Sequence, residues 1–210
     1  MAMIYSLGAC RKEYSQKADP SKITAIDIIC DGEDISREYG PDRPNDFAQY
    51  SFGGVAGTYF GYISSFTIDD QKKLEIRLGT MLSEHSILSL DESLKLLAPG
   101  SRKYGSLGVF TSYPQTKANR AEIAYTDADQ VRWSSTRITE KHTDYGIEAL
   151  VDILQPRGEF MIDSVATTTI ADTLQGFRVQ GHFNCTIYEV NGHRSKPMQG
   201  SFASVVSNSN

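Results

Sequence analysis

Residues 176–206, GFRVQGHFNCTIYEVNGHRSKPMQGSFASVV, constrain the fold more than any other stretch of the chain. Phe177, Val179, Phe183, Cys185 and Ile187 fall on one side of a two-residue period, with Gly181 in the same register. Arg178, Gln180, His182, Asn184 and Thr186 fall on the other. Side chains alternate faces along a strand, so this pattern predicts one buried and one wet face. Asn191-Gly192 follows, and both residues tolerate the positive φ that a type I′ hairpin turn requires. The return strand covers 200–206. Pro197 has no N–H to donate to a ladder, which predicts an edge or a bulge near that point. His182, His193 and Arg194 read as solvated polar groups of the wet face and the turn.

The rest of the chain repeats this grammar. Residues 22–30 read as a first strand, and the Gly-, Pro- and acid-rich segment 31–46 as loop. Residues 47–52 form a short strand before Gly53-Gly54. Residues 58–68 form a long one, in which Gly61 marks a bulge or a close contact. Residues 73–78 alternate without exception and pair with the strand before them. Residues 122–126 and 131–135 flank an Asp127–Gln130 turn as a second hairpin. Segment 143–155 has helical spacing at Ile147, Leu150, Val151 and Leu154, but its neighbours favour a strand. Residues 159–170 are a strand. One short helix follows Ser89, whose hydroxyl and Glu92 have the form of a capping box; Leu90, Leu94 and Leu97 share its face, and Pro99-Gly100 ends it. Short strands joined by tight turns predict an all-β fold, mainly an antiparallel β-sandwich or open barrel with one short helix. With 210 residues the chain can bury a sizeable core. Residues 1–21 read as a truncated signal, lipobox and flexible tether, and 22–210 as a single β-rich domain.

Leu7-Gly8-Ala9-Cys10 resembles a bacterial lipobox, in which a peptidase cuts before a cysteine that is then acylated. A polar tether, RKEYSQKADPSK, follows Cys10. Residues 121–206 resemble the C-terminal half of uncharacterised Bacteroidota lipoproteins. The shared features are Tyr125-Thr126-Asp127 before Trp133-Ser134-Ser135, the strand from Gly181 to Tyr188, the Asn191-Gly192 turn, and Gly200-Ser201-Phe202. The resemblance implies a β-sandwich, lipidation at Cys10, and a periplasmic or surface address on the outer membrane. Contact with the membrane is then made only through the lipid. It transfers no catalytic residues.

Chemistry-bearing patterns are sparse. The net charge of −5 argues against a nucleic-acid partner. No nucleophile elbow, phosphate-binding loop or zinc-ligand spacing occurs, so no cofactor is expected. His182 and His193 are too unequally placed about their turn for a metal pair. The acidic turns at 31–34 and at Asp127 and Asp129 are weak Ca²⁺ candidates, since that ion takes oxygen ligands. Cys30 and Cys185 either bridge in an oxidising compartment or act as two buried thiols. Tyr59, Tyr62, Tyr104, Tyr113, Tyr125 and Trp133 supply flat rings for a sugar platform, with Trp133, Tyr125 and Tyr62 the leading candidates; the competing reading is core. The sequence therefore favours a non-enzymatic, envelope-anchored module that binds a ligand, a glycan or a surface protein, or that serves a surface assembly. The alternative is a secreted or periplasmic glycan hydrolase using a carboxylate pair.

Overall fold

The computed structural model describes residues 24–39, 46–54, 57–82, 90–105, 119–143, 146–152, 155–170 and 174–207. The strands of the first half are β1 (Thr24–Cys30), β2 (Glu33–Tyr39), β3 (Asp46–Gly54), β4 (Gly57–Thr67) and β5 (Lys73–Leu82). Helix α1 (Leu90–Leu97) leads into β6 (Gly100–Tyr104), β7 (Arg120–Thr126) and β8 (Arg132–Ser134). Strands β9 (Arg137–Thr143) and β10 (Gly146–Asp152) pair only with each other among the described residues. The chain closes with β11 (Glu159–Ile170), β12 (Leu174–Glu189) and β13 (Ser195–Ser207). The all-β expectation holds, and the ambiguous segment after residue 143 contains a strand.

The large sheet runs β2-β1-β13-β12-β11-β6-β7-β5-β4-β3. Its pairs are antiparallel except for β6 and β7, which run parallel through Lys103↔Arg120 and Tyr104↔Ala121. Strand β8 lies off this path and pairs with both β12 and β7. Strands β12, β11, β6, β7 and β8 thus form a closed circuit of pairings. The sheet curls. Strand β13 comes against β3 and β4. The Tyr39 hydroxyl on β2 donates to the Thr67 carbonyl at 3.0 Å, and Arg37 Nε donates to the Ile68 carbonyl at 3.0 Å. One hydrophobic cluster fills the interior, with Ile28, Phe66, Leu74, Ile123, Phe160 and Ile187 wholly shielded from solvent.

The hairpin read from alternation is the centre of one half of the sheet. Phe177 is half-buried, while Val179, Gly181, Phe183, Cys185 and Ile187 are buried. Space in the core is shared between glycines and large rings. A Cβ on Gly181 would lie 2.8 Å from the Phe202 ring and closer still to the Met161 carbonyl. The Phe202 ring in turn packs on Phe160, centroids 5.7 Å apart.

Several local expectations are corrected. The turn is centred on Val190-Asn191 rather than Asn191-Gly192, closed by the Gly192 N–H donating to the Glu189 carbonyl at 3.3 Å, and with positive φ at Asn191 but not at Val190 its φ signs are those of a type II rather than a type I′ turn. The type I′ turn lies instead at Asp31-Gly32, with φ of 52° and 84°. It makes the supposed loop after Cys30 into a two-residue hairpin leading to β2. Strand β13 is central, between β12 and β1, rather than an edge. Pro197 fits because the β1 pairing ends at Cys30↔Met198, one residue before it. Gly61 sits in an unbroken register opposite Tyr50 and Gly79, while the register shift of the sheet lies in β11, between Ile162 and Ser164. In α1 the buried face is Leu96 and Leu97, whereas Leu94 is exposed. Ser89 of the proposed capping box lies outside the described residues.

Candidate functional site

The aromatic residues singled out as a sugar platform are core residues. Trp133, Tyr125 and Tyr62 are only 4%, 3% and 2% exposed. They occupy inward positions of alternating strands, so their faces meet other side chains. The Trp133 indole N–H donates to Asp127 Oδ2 at 2.7 Å. Lys196 Nζ lies 4.0 Å from the Trp133 ring centre and 5.2 Å from that of Tyr125, and the Arg194 guanidinium lies 5.3 Å from Trp133. This cation–π cluster fastens the turn end of β12 and β13 to the β7–β8 hairpin. Tyr62 meets Phe60 edge-on. Tyr113 and the side chain of Tyr59 lie outside what is described.

Asp127 organises its own turn rather than a cation. Its Oδ1 accepts the backbone N–H groups of Asp129 and Val131 at 3.1 and 3.0 Å. Its Oδ2 accepts from Trp133 and faces Lys196 Nζ at 3.7 Å. Burial pushes this carboxyl up, but the Trp133 and Val131 hydrogen bonds and the Lys196 charge outweigh it and hold it below the usual range. Asp129 is exposed. Among the described residues no three His, Cys, Asp or Glu side chains gather as a metal site. His182 pairs with Asp163 at 3.0 Å, far along the strand from His193.

Cys30 and Cys185 are free and buried. Both stand opposite Met198, one from β1 and one from β12. Strand β13 therefore separates them by two strand spacings, about 9.6 Å between Cα atoms. A disulfide requires less than about 7 Å, so this pair does not bridge. Burial raises both thiol pKa values, that of Cys185 to about 12. Cys10 lies outside the described residues.

Two carboxylates, Glu75 and Glu122, share one guanidinium on β5 and β7, where Arg77 stands opposite Glu122. Arg77 Nη1 reaches Glu122 Oε2 at 3.4 Å, and its Nη2 reaches Glu75 Oε2 at 2.5 Å. Ser134 Oγ donates to Glu122 Oε1 at 2.9 Å. Burial pushes Glu75 up, but hydrogen bonds from Arg77 and Lys73 bring its carboxyl below the usual range. Glycoside hydrolysis needs one carboxyl kept protonated to serve as the acid, and a shared guanidinium works against that.

The remaining site lies at the closed circuit of strands. Strand β7 shares one edge between β6, at its start, and β8, at its end, and β12 shares one edge between β11 and β8. A gap opens between these partners, and two side chains fill it. Gln155 Nε2 donates to the carbonyls of Ser135 and Thr186 at 2.7 and 2.5 Å, and Gln155 Oε1 accepts the Thr186 N–H at 2.9 Å. Ser135 Oγ accepts the Ile123 N–H at 2.9 Å. Side chains thereby satisfy backbone groups that no strand reaches. Gly158 makes the closure feasible: a Cβ there would come within 3.0 Å of Gln155 and of the Tyr104 ring.

Beside this plug is a cavity of about 640 Å³, walled by β6, the start of β7 and residues 155–160. Tyr104 and Phe160 floor it, 3% and 0% exposed, and the Tyr104 hydroxyl donates to the carbonyls of Glu159 and Asn184 at 2.9 and 3.1 Å. Ser101, Lys103 and Glu159 on its rim are exposed. Arg102 binds the C-terminal end of α1 through the Leu96 and Ala98 carbonyls, and burial lowers its pKa. Asn119 Nδ2 donates to the Lys95 carbonyl at 3.3 Å. Among the described residues neither Arg102, Lys103 nor Glu159 has an ion-pair partner. Of these lining residues only Tyr104 stood out in the sequence; Ser101, Lys103, Asn119 and Glu159 come from segments with no chemical pattern. No family model matches the chain, and no curated protein or solved structure is similar to it.

Proposed function

We propose that the protein is a non-enzymatic, envelope-anchored binding module whose ligand site is the cleft beside Gln155. The observation that carries this reading is the cleft itself. A volume of about 640 Å³ is in the range of small-molecule sites. Its wall is built on paired strands and the Gln155 plug, and on its rim Lys103 and Glu159 have no ion-pair partner within 4.0 Å among the described residues. The lipobox-like Leu7-Gly8-Ala9-Cys10 supports the anchored half of the proposal. Hydrolysis is less well supported, because the carboxylates Glu75 and Glu122 are tied to one arginine rather than poised across a cleft.

Anchoring is tested by intact mass and membrane fractionation of the full-length gene product in a lipoprotein-processing host, beside Cys10→Ala. A diacyl or triacyl mass at Cys10 that the variant lacks is the expected result. A soluble, unmodified product would sink this half of the proposal and leave the cleft to be judged by ligand binding.

A further inference from the structure

We infer that the free edge of β11, residues 164–170, is a strand-pairing surface on which a second copy of this chain docks, antiparallel and about a two-fold axis at Thr167. The inference is independent of the ligand proposed for the cleft. Strand β6 covers only the base of β11, pairing from Phe160 to Ile162. It begins at Gly100, whose φ of 135° brings the chain in from α1, so no residue of β6 reaches Ser164. Beyond the register shift at Asp163, β11 runs on to Ile170 paired to β12 alone among the described residues. No turn or loop backbone among the described residues bonds to it there. Ser164, Ala166, Thr167 and Thr169 are exposed, and Val165 and Thr168 are half-buried. In an antiparallel ladder every second residue turns both its N–H and its C=O away from its partner. Those of β11 therefore face out along an edge about 24 Å long.

The sequence of this edge selects the occupant. Edge strands are commonly guarded against other chains by charge or proline. Edge strand β2 follows that rule with Glu33, Asp34, Arg37 and Glu38. Residues 164–170 read SVATTTI, without charge, proline or glycine, and their β-branched side chains favour extended pairing. The nearest charge, Asp163, is already held by His182 at 3.0 Å. A charged peptide thus finds no counter-charge along this edge, whereas the segment is matched to itself. Pairing about Thr167 sets that residue opposite its own counterpart, Ala166 opposite Thr168, Val165 opposite Thr169 and Ser164 opposite Ile170. Such pairs of small and β-branched side chains fit a ladder with no like-charge contact. This register is the one that uses the whole edge, and it sends the two Asp163 carboxylates to opposite ends, about 27 Å apart along the strands. The contact is isologous, so it closes as a dimer and covers both free edges instead of growing into a fibre.

The test is sedimentation velocity of the full chain over about a hundredfold range of concentration, beside Thr167→Lys. Thr167 is exposed, so the variant keeps its fold, and an unchanged far-UV spectrum and urea midpoint verify this. The native chain is expected to pass from monomer to dimer as concentration rises. Thr167→Lys sets two ammonium groups face to face and should remain monomeric throughout. The axis is tested by Thr167→Cys in a Cys10→Ala background. Mild oxidation should link two copies through that position, because directly opposed residues lie within disulfide reach. Ser36→Cys, exposed on β2, should leave the chains unlinked. A native chain that stays monomeric at every concentration overturns the self-pairing and leaves this edge to a strand of another protein. A dimer that survives Thr167→Lys, or that does not cross-link through Thr167→Cys, overturns the placement of the interface.

Discussion

Asp127 shows how one side chain can decide the fate of a hairpin. Its two oxygens hold a turn, an indole and an ammonium group at once. Because its folded pKa lies below the aspartate value of 3.8, the ionised form is favoured by folding. The stability it contributes is fully present above that value and is lost as pH falls through the depressed folded pKa. Asp127→Asn should therefore lower stability at neutral pH by about 1–3 kcal/mol, the range for breaking a charged hydrogen-bond partnership. The gap between variant and native chain should narrow below about pH 3.8. Urea unfolding across that range, followed through Trp133 fluorescence, measures both; a gap independent of pH would assign the effect to shape rather than charge. The same residue explains a misreading of the sequence. Asp127 and Asp129 flanking a turn look like cation ligands, and Trp133 with Tyr125 looks like a sugar platform. Each group's partner is another member of the same cluster, contributed in part by Lys196 and Arg194 from a distant hairpin.

At the scale of elements, alternation was legible wherever a strand has one apolar face. Strands β5, β7 and β12 announce themselves in this way. Strand β2 does not, because six of its seven residues are at least partly exposed and only Ile35 is buried. Its charged side chains suit an edge, where they discourage pairing with another chain. Strand β6, GSRKY, is likewise silent; it is held by β11 on one side and by two parallel pairs to β7 on the other. The cleft depends on this strand, so it was hidden for the same reason. The Gln155 plug lets the two short pairings coexist. Gln155→Ala should destabilise the fold by about 1–3 kcal/mol for the backbone groups left unsatisfied. Ser101→Ala on the neighbouring rim should stay within about 0.5 kcal/mol. Comparable urea midpoints for the two variants would refute the role given to Gln155.

For the whole molecule, the sheet puts its two structural thiols in line across β13 yet beyond bonding distance. A Cys10→Ala variant should show no rapid reaction with a thiol reagent at pH 8, since burial shields both sulfurs and suppresses their thiolates. Two thiols should react once the chain is unfolded in urea. A mass two units lower after mild oxidation of the native chain would reveal a bridge and contradict the separation of the strands.

The place of β1 carries a consequence for time as well as space. It lies between β2 and β13, and its Ala25 faces Ala203, 178 positions later. During synthesis, β1 has only its hairpin with β2 for strand pairing until β13 emerges. Pairing over so long a separation is slow, because loop closure precedes the contacts that reward it. A nascent chain of this topology therefore leaves one edge of β1 without a partner until β13 has been made.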